Sequence, residues 1–166
     1  LAIRTIREIG DEVLTMPCRP VKEMNAHTKE LIGDMFDTMY DRDGVGLAAP
    51  QVGVLKQIVV IDVSGAADAE GDEEVYCLIN PRIVETSGEQ EGYEGCLSVP
   101  NKTGIVTRPD YVKVVALDAD MKEITVEGRG LLARALCHEI DHLQGILYTE
   151  KVEGELKDVR TEDDDE

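Results

Sequence analysis

The residues of this chain best suited to chemistry are two histidines one helical turn apart with a glutamate between them, in HEIDH (138–142). On a helix, positions i and i+4 lie about 40° apart, so both imidazoles can aim a ring nitrogen at one divalent cation. Glu139 falls beside that face and is free to act as general base on a water held there. The bland alternative is a pair of helical histidines that cap or pack. Two imidazoles leave a divalent site incomplete. No histidine follows His142, and Glu150, Glu153 and Glu155 are the downstream carboxylates that could donate. The better candidate lies upstream: Cys96, in EGCLS (94–98), next to a glycine that lets backbone approach closely. A thiolate with His138 and His142 makes three protein ligands and leaves a fourth position open, the catalytic arrangement as distinct from a closed structural one. This donor set holds either Zn²⁺ or Fe²⁺.

Such a site needs a helix with two faces. GRGLLARALCHEIDHLQG (128–145) is bounded by glycines. Leu132, Leu136, Ile140 and Leu143 fall within about 80° of one another on a side away from the histidines, as a core face requires. Cys137 points away from the histidine face and reads as core. Arg134 stands one turn before His138 on the site side. It is expected at the pocket rim, its stem covering apolar surface, where it could modulate substrate preference. Asp141 either orients a histidine ring or pairs with an arginine such as Arg108. The third histidine, His27, stands among polar neighbours and is expected at the surface.

Other elements follow from period and punctuation. Residues 25–43 read as a helix with Asn25 as N-cap and Leu31, Met35 and Met39 on one buried face, beside Ile32 and Phe36. QIVVID (57–62) reads as a buried strand, and 74–85 as a strand that Pro81 breaks or confines to an edge. Residues 111–118 and 123–128 alternate apolar and polar around DADMK, a β-hairpin pattern. Residues 64–74 are a small-residue acidic loop, expected to be mobile. From Val152 a short helix is expected before a disordered TEDDDE end. The fold class is α+β, with mixed or antiparallel strands around a central helix bearing the HEIDH motif. Residues 1–150 form one catalytic unit and 151–166 an acidic tail.

At 166 residues and a net charge of −18, the chain can close one core but lacks the basic surface of a general nucleic-acid binder. No apolar run is long enough to span a bilayer. The charge is uneven: residues 62–94 carry ten acids against one base, and 150–166 nine against three, which reads as solvation. The N-terminal LAIRTIREIG has no apolar stretch of the export-signal kind. The expected setting is therefore cytoplasmic, with Cys18 and Cys77 as ordinary free thiols.

Three segments, GVGLAAPQ (44–51), EGCLS (94–98) and HEIDH (138–142), in this order and spacing resemble the signature motifs of bacterial peptide deformylases. IREIGDEVL (6–14) and GLLARALCHEIDHLQGILY (130–148) add to the resemblance, which covers residues 3–150. It implies a hydrolase of protein biosynthesis that removes the formyl group from N-terminal formyl-methionine and releases formate. It implies one divalent metal ion per chain on Cys96, His138 and His142, Fe²⁺ as the native ion and Zn²⁺ as the alternative, with Glu139 as acid/base. Gln51 and the Leu97 N–H would donate to the substrate carbonyl oxygen. Gly44, Val45, Gly46, Glu94, Gly95 and Leu131 would contact the peptide, with Gly46 and its neighbours as the backbone edge along which it lies. The implied partners are formyl-methionyl nascent peptides met near the ribosome, with no membrane and no specific nucleic acid. A tail so acidic is not expected to dock on ribosomal RNA. Two rival readings are a peptidase of the HExxH type and a non-catalytic structural metal domain. The upstream cysteine and the 44–51 segment oppose the first; Glu139 and Gln51 oppose the second.

Overall fold

The alternations read from the sequence become two antiparallel sheets and two helices across residues 2–64 and 74–159, the part of the chain that the computed structural model describes. Helix α1 spans Ala26–Asp41, and the Asn25 side chain accepts the Thr28 N–H at 2.8 Å, satisfying one of the orphan donors of the first turn. Its buried face holds Leu31, Ile32, Met35 and Met39, with Phe36 half-buried. Helix α2 spans Gly130–Leu143 and carries the HEIDH motif.

The larger sheet contains β1 (Gly46–Ala48), β2 (Ile58–Asp62), β3 (Val75–Ser87), β6 (Tyr111–Leu117) and β7 (Glu123–Arg129), in spatial order β1-β2-β3-β6-β7. The smaller contains β4 (Gln90–Cys96), β5 (Val99–Arg108) and β8 (Glu153–Asp158), in order β4-β5-β8. Strand β2 explains its own unbroken apolar run. Val59 and Ile61 face α2 with Leu132, Leu136, Ile140 and Leu143, while Ile58 and Val60 face α1 with Leu31, Met35 and Met39. With both faces covered, no position calls for a polar residue. Leu136 is fully buried in this layer, and its truncation to alanine would cost about 2–5 kcal/mol.

The break at Pro81 is a register shift between Ile79 and Arg82. Asn80 sits there at φ +52°, and its side-chain amide clasps the backbone of Val21 with two 2.8 Å hydrogen bonds. The hairpin of β6 and β7 forms as the alternation requires. The short helix expected after Val152 is instead strand β8, which pairs with β5 through Lys102 opposite Asp158, Thr103 opposite Lys157 and Ile105 opposite Glu153. All six of its residues are exposed, so backbone pairing rather than an apolar face holds it. The expectations of a mobile loop at 64–74 and of a disordered end fall largely on residues 65–73 and 160–166, outside the described residues. Among the described residues, no helix is long and apolar enough to cross a membrane.

Candidate active site

Strand β4 and helix α2 bring three donors together. Cys96 ends β4, and a two-residue turn, Leu97–Ser98, leads into β5 with Cys96 paired to Val99. The ligand atoms of Cys96, His138 and His142 all lie within 4.8 Å of one another, and Cys96 Sγ is 3.3 Å from His142 Nε2. His142 is almost fully buried and His138 nearly so. Burial, then the neighbouring His138, pushes His142 well below the usual imidazole range, so it stays neutral with a lone pair to donate. One soft sulfur and two imidazoles at this separation fit a four-coordinate divalent ion with one position left over. Glu150 and Glu153 are occupied elsewhere: Glu150 accepts the Leu147 N–H, and Glu153 accepts the Thr107 hydroxyl.

A buried ion-pair network stands behind His138. Glu94 Oε1 accepts from His138 Nδ1 at 2.9 Å, which leaves Nε2 for a metal. The same carboxylate receives Arg108 through Nε at 2.8 Å and Nη2 at 2.9 Å, and Arg134 Nη1 at 2.6 Å. Burial alone would raise Glu94, but the Arg108 guanidinium and His138 outweigh it and hold the carboxyl well below the usual range. Asp141 takes the remaining arm of Arg108 at 2.7 Å and Lys151 at 3.0 Å. Of the two roles open to Asp141, it therefore fills the ion pair, and Glu94 is the residue that orients a histidine. The expectation for Arg134 is corrected: it is no rim residue but is buried, with Nη1 bonded to Glu94 and to the Val106 carbonyl. Helical spacing gives the side on which a residue lies but not its depth. The only signal for Glu94 in the sequence is its place in EGCLS, two residues before Cys96.

Above the three donors opens a cavity of about 350 Å³. Its walls bring together Gly44, Val45 and Gly46 before and on β1, Glu94, Gly95, Cys96 and Leu97 at the end of β4, Gln51, and Leu131, His138 and Glu139 on α2. His142 is not among the residues that line it. Asp43, Tyr93 and Ala135 complete the lining together with Arg134, which the sequence places on the site side of the helix. Gln51 is fixed on both sides: its Oε1 accepts the Ala48 N–H at 2.9 Å, and its Nε2 donates to Ser98 Oγ at 3.0 Å and reaches Cys96 Sγ at 3.5 Å. Glu139 is buried, and among the described residues its Oε1 has no hydrogen-bond partner. Burial pushes its carboxyl up to about 7, where it can both take and return a proton. Strand β1 comes so close that a Cβ on Gly46 would meet this carboxylate.

The remaining polar and thiol expectations are met in the described structure. His27 is exposed, Cys18 and Cys137 are buried, Cys77 is half-buried, and all four cysteines are free thiols.

Comparison with known proteins gives a consistent result. The family described as polypeptide deformylase matches residues 3–158. A peptide deformylase of Lachnoclostridium phytofermentans is 59% identical, over 100% of this chain and 99% of that one. A peptide deformylase of Agathobacter rectalis is 56% identical, over the whole of both chains. Among solved structures, a peptide deformylase from Legionella pneumophila superposes with a TM-score of 0.84 at 45% identity, covering 91% of this chain and 86% of that one. One from Ehrlichia chaffeensis in complex with actinonin superposes with a TM-score of 0.86 at 37% identity, covering 92% and 90%.

Proposed function

The chain belongs to the polypeptide deformylase family, and we propose how its own side chains carry out that family's reaction. It is a metal-dependent hydrolase that takes the formyl group off the N-terminus of newly synthesised proteins, leaving formate and a free amine. Cys96, His138 and His142 would hold one divalent ion. That ion, when bound, polarises the formyl carbonyl and makes a water acidic enough to attack at neutral pH.

Glu139 takes the proton of the attacking water as oxygen joins the formyl carbon. It then delivers a proton to the amine nitrogen as the C–N bond breaks. Gln51 Nε2 and the Leu97 N–H donate to the carbonyl oxygen as charge builds there, each worth about 3 kcal/mol when well placed. Gly44, Val45 and Gly46 on one side and Gly95 on the other offer backbone to an extended peptide. Leu131 walls the space for the first side chain. Glu94 contributes by fixing the His138 ring rather than by touching the peptide. Fe²⁺ is the native ion in this reading, and Zn²⁺ also suits the donors. Every side chain in the scheme lies within residues 1–150, and 151–166 carry none of the chemistry. The enzyme works in the cytoplasm on formyl-methionyl chains near the ribosome, without specific binding to nucleic acid.

The observation that carries this reading is the Glu139 carboxylate, buried in the cavity wall next to the donor cluster with one oxygen unpartnered among the described residues. The test is formate release from formyl-Met-Ala-Ser by protein purified without oxygen, alongside metal analysis. One ion per chain and one formate per peptide are expected. Cleavage of internal bonds in unformylated peptides, without formate, would overturn the reading.

A further inference from the structure

We propose that Arg7 and Ile9 are positioning residues for the two donors that receive the formyl oxygen. Their backbone N–H groups strap the residue carrying one donor, Gln51, to the turn carrying the other, Leu97–Ser98. This rests on the deformylase reading, which gives Gln51 Nε2 and the Leu97 N–H that role.

The Arg7 N–H donates to the Gln51 carbonyl and the Ile9 N–H to the Ser98 carbonyl, both at 2.7 Å, the short end of the range for such bonds. Gln51 and Ser98 are joined a second time through their side chains, Nε2 to Oγ at 3.0 Å. The two residues belong to different parts of the fold. Gln51 lies in the 3₁₀ turn Ala49–Val52 that follows β1 of the larger sheet, and Ser98 lies between β4 and β5 of the smaller. They are 47 positions apart in sequence, yet the strap that spans them is two residues long.

The strap is itself anchored away from the site. The Ala2 N–H donates to Asp34 Oδ1 at 3.0 Å and the Arg4 N–H to Thr38 Oγ1 at 2.8 Å, so α1 holds its other end. Ile6, between the two pairs of bonds in sequence, is buried. The Arg7 side chain adds a contact to the Gln51 turn: a Cβ on Gly53, which ends that turn at φ +85°, would be 3.2 Å from Arg7 Nη2.

Oxyanion donors act only when aimed at the place where charge builds, and misplacement on the ångström scale is costly. Two donors on different sheets share no helix or strand that could fix their separation. The strap and the Gln51–Ser98 side-chain bond supply that restraint. IREIGDEVL (6–14), none of whose residues lines the cavity, thereby acquires a task in the reaction.

The test removes one N–H at a time from the full, metal-loaded chain. Arg7, Ile9 or, as a control, Arg19 is replaced by the α-hydroxy acid with the same side chain, whose ester oxygen cannot donate. The Arg19 N–H donates to the Leu55 carbonyl at 3.0 Å, a comparable bond that touches neither donor. Formate release from formyl-Met-Ala-Ser gives kcat and KM, and a thermal melt follows the fold. The esters at 7 and 9 should each lower kcat about tenfold, part of the roughly 10²–10³-fold cost of deleting an oxyanion donor, with KM nearly unchanged. The ester at 19 should lower the melting temperature to a similar extent and leave kcat near wild type. In a Gln51→Ala background the ester at 7 should cost almost nothing further, because the donor it aims is gone. The ester at 9, acting through Leu97, should keep its factor.

Near-wild-type kcat in both esters would overturn the proposal. So would an ester at 7 that costs the same with and without Gln51, or Gln51→Ala turning over as fast as wild type. Where one ester chain fails to fold, the other decides; failure of both while the ester at 19 folds would make the segment structural and also overturn it. Absence of formate from the wild type would instead overturn the deformylase reading.

Discussion

A Cβ on Gly46 would lie 2.6 Å from Oε2 of Glu139 and 2.9 Å from its Cγ, so the backbone of β1 and the carboxylate of α2 are in direct contact. The contact sets where the carboxylate sits, and a methyl group at position 46 cannot share the space. Gly46→Ala should therefore displace Glu139 while the layers around it stay packed. Misplacement on the scale of an ångström can cost about 10²-fold in rate. Steady-state kinetics paired with a thermal melt would check this; kcat/KM within twofold of wild type would show that the contact does not matter.

Glu139→Gln keeps the shape of the side chain and removes its proton chemistry. Metal content and melting temperature should stay close to wild type, while turnover falls about 10²–10⁴-fold. Loss of the ion in this variant would make Glu139 a ligand and refute the role given to it here.

Cys96 and Glu94 should separate a ligand from the group that orients one. Cys96→Ser exchanges a thiolate for a neutral hydroxyl and should nearly abolish high-affinity Zn²⁺ binding, while Cys18→Ser and Cys77→Ser leave it alone. Glu94→Gln keeps all three ligands but loosens His138, and should weaken affinity by about 10–100-fold. It also leaves Arg108 and Arg134 short of a counter-charge in a buried place, so a stability loss of about 3–5 kcal/mol is expected. Chelator competition and urea unfolding measure the two effects. Unchanged affinity in Glu94→Gln would remove Glu94 from the account of the site.

Alkaline pH should weaken the fold through the buried thiols. Burial, helped by the Asp118 carboxylate, pushes Cys77 from the usual thiol value near 9 to about 12, and burial pushes Cys137 to about 11. Both folded values lie above the unfolded one. The stabilisation is therefore complete below pH 9 and is lost as pH rises towards 11, because the unfolded chain sheds protons that the folded chain keeps. The slope is up to about 1.4 kcal/mol per pH unit for each thiol. Urea midpoints between pH 8 and 10.5 should fall, and Cys77→Ala should flatten the fall. Equal slopes for variant and wild type would rule this origin out.

The parts of the structure legible in the sequence are those with a period or a cap. Residues 130–143 repeat their leucines at helical spacing and put both histidines on the other side. Asn25 announces α1, and the run Ile58–Asp62 announces a strand covered on both faces. Strand β8 carries no such signal, since its six residues are all exposed and its partner, β5, lies some 50 residues away. The polar network was partly hidden for a related reason. Arg108, Arg134 and Glu94 are residue types that usually face water. Their burial follows from one another across 14 to 40 residues of chain, a dependence that local composition does not encode. Gln51 shows the same limit: its motif marked it, but Ser98, which helps to fix it, lies 47 residues away.

The two halves of the ligand set belong to different layers, Cys96 to the three-stranded sheet and the histidines to the helix packed on the five-stranded one, with Cys96 and His142 46 positions apart. That separation sets a timetable for biosynthesis. Synthesis supplies the thiol first and the second imidazole more than forty peptide bonds later. A copy still being translated has no complete centre until α2 has emerged and docked, so nascent chains of the enzyme itself depend until then on molecules finished earlier.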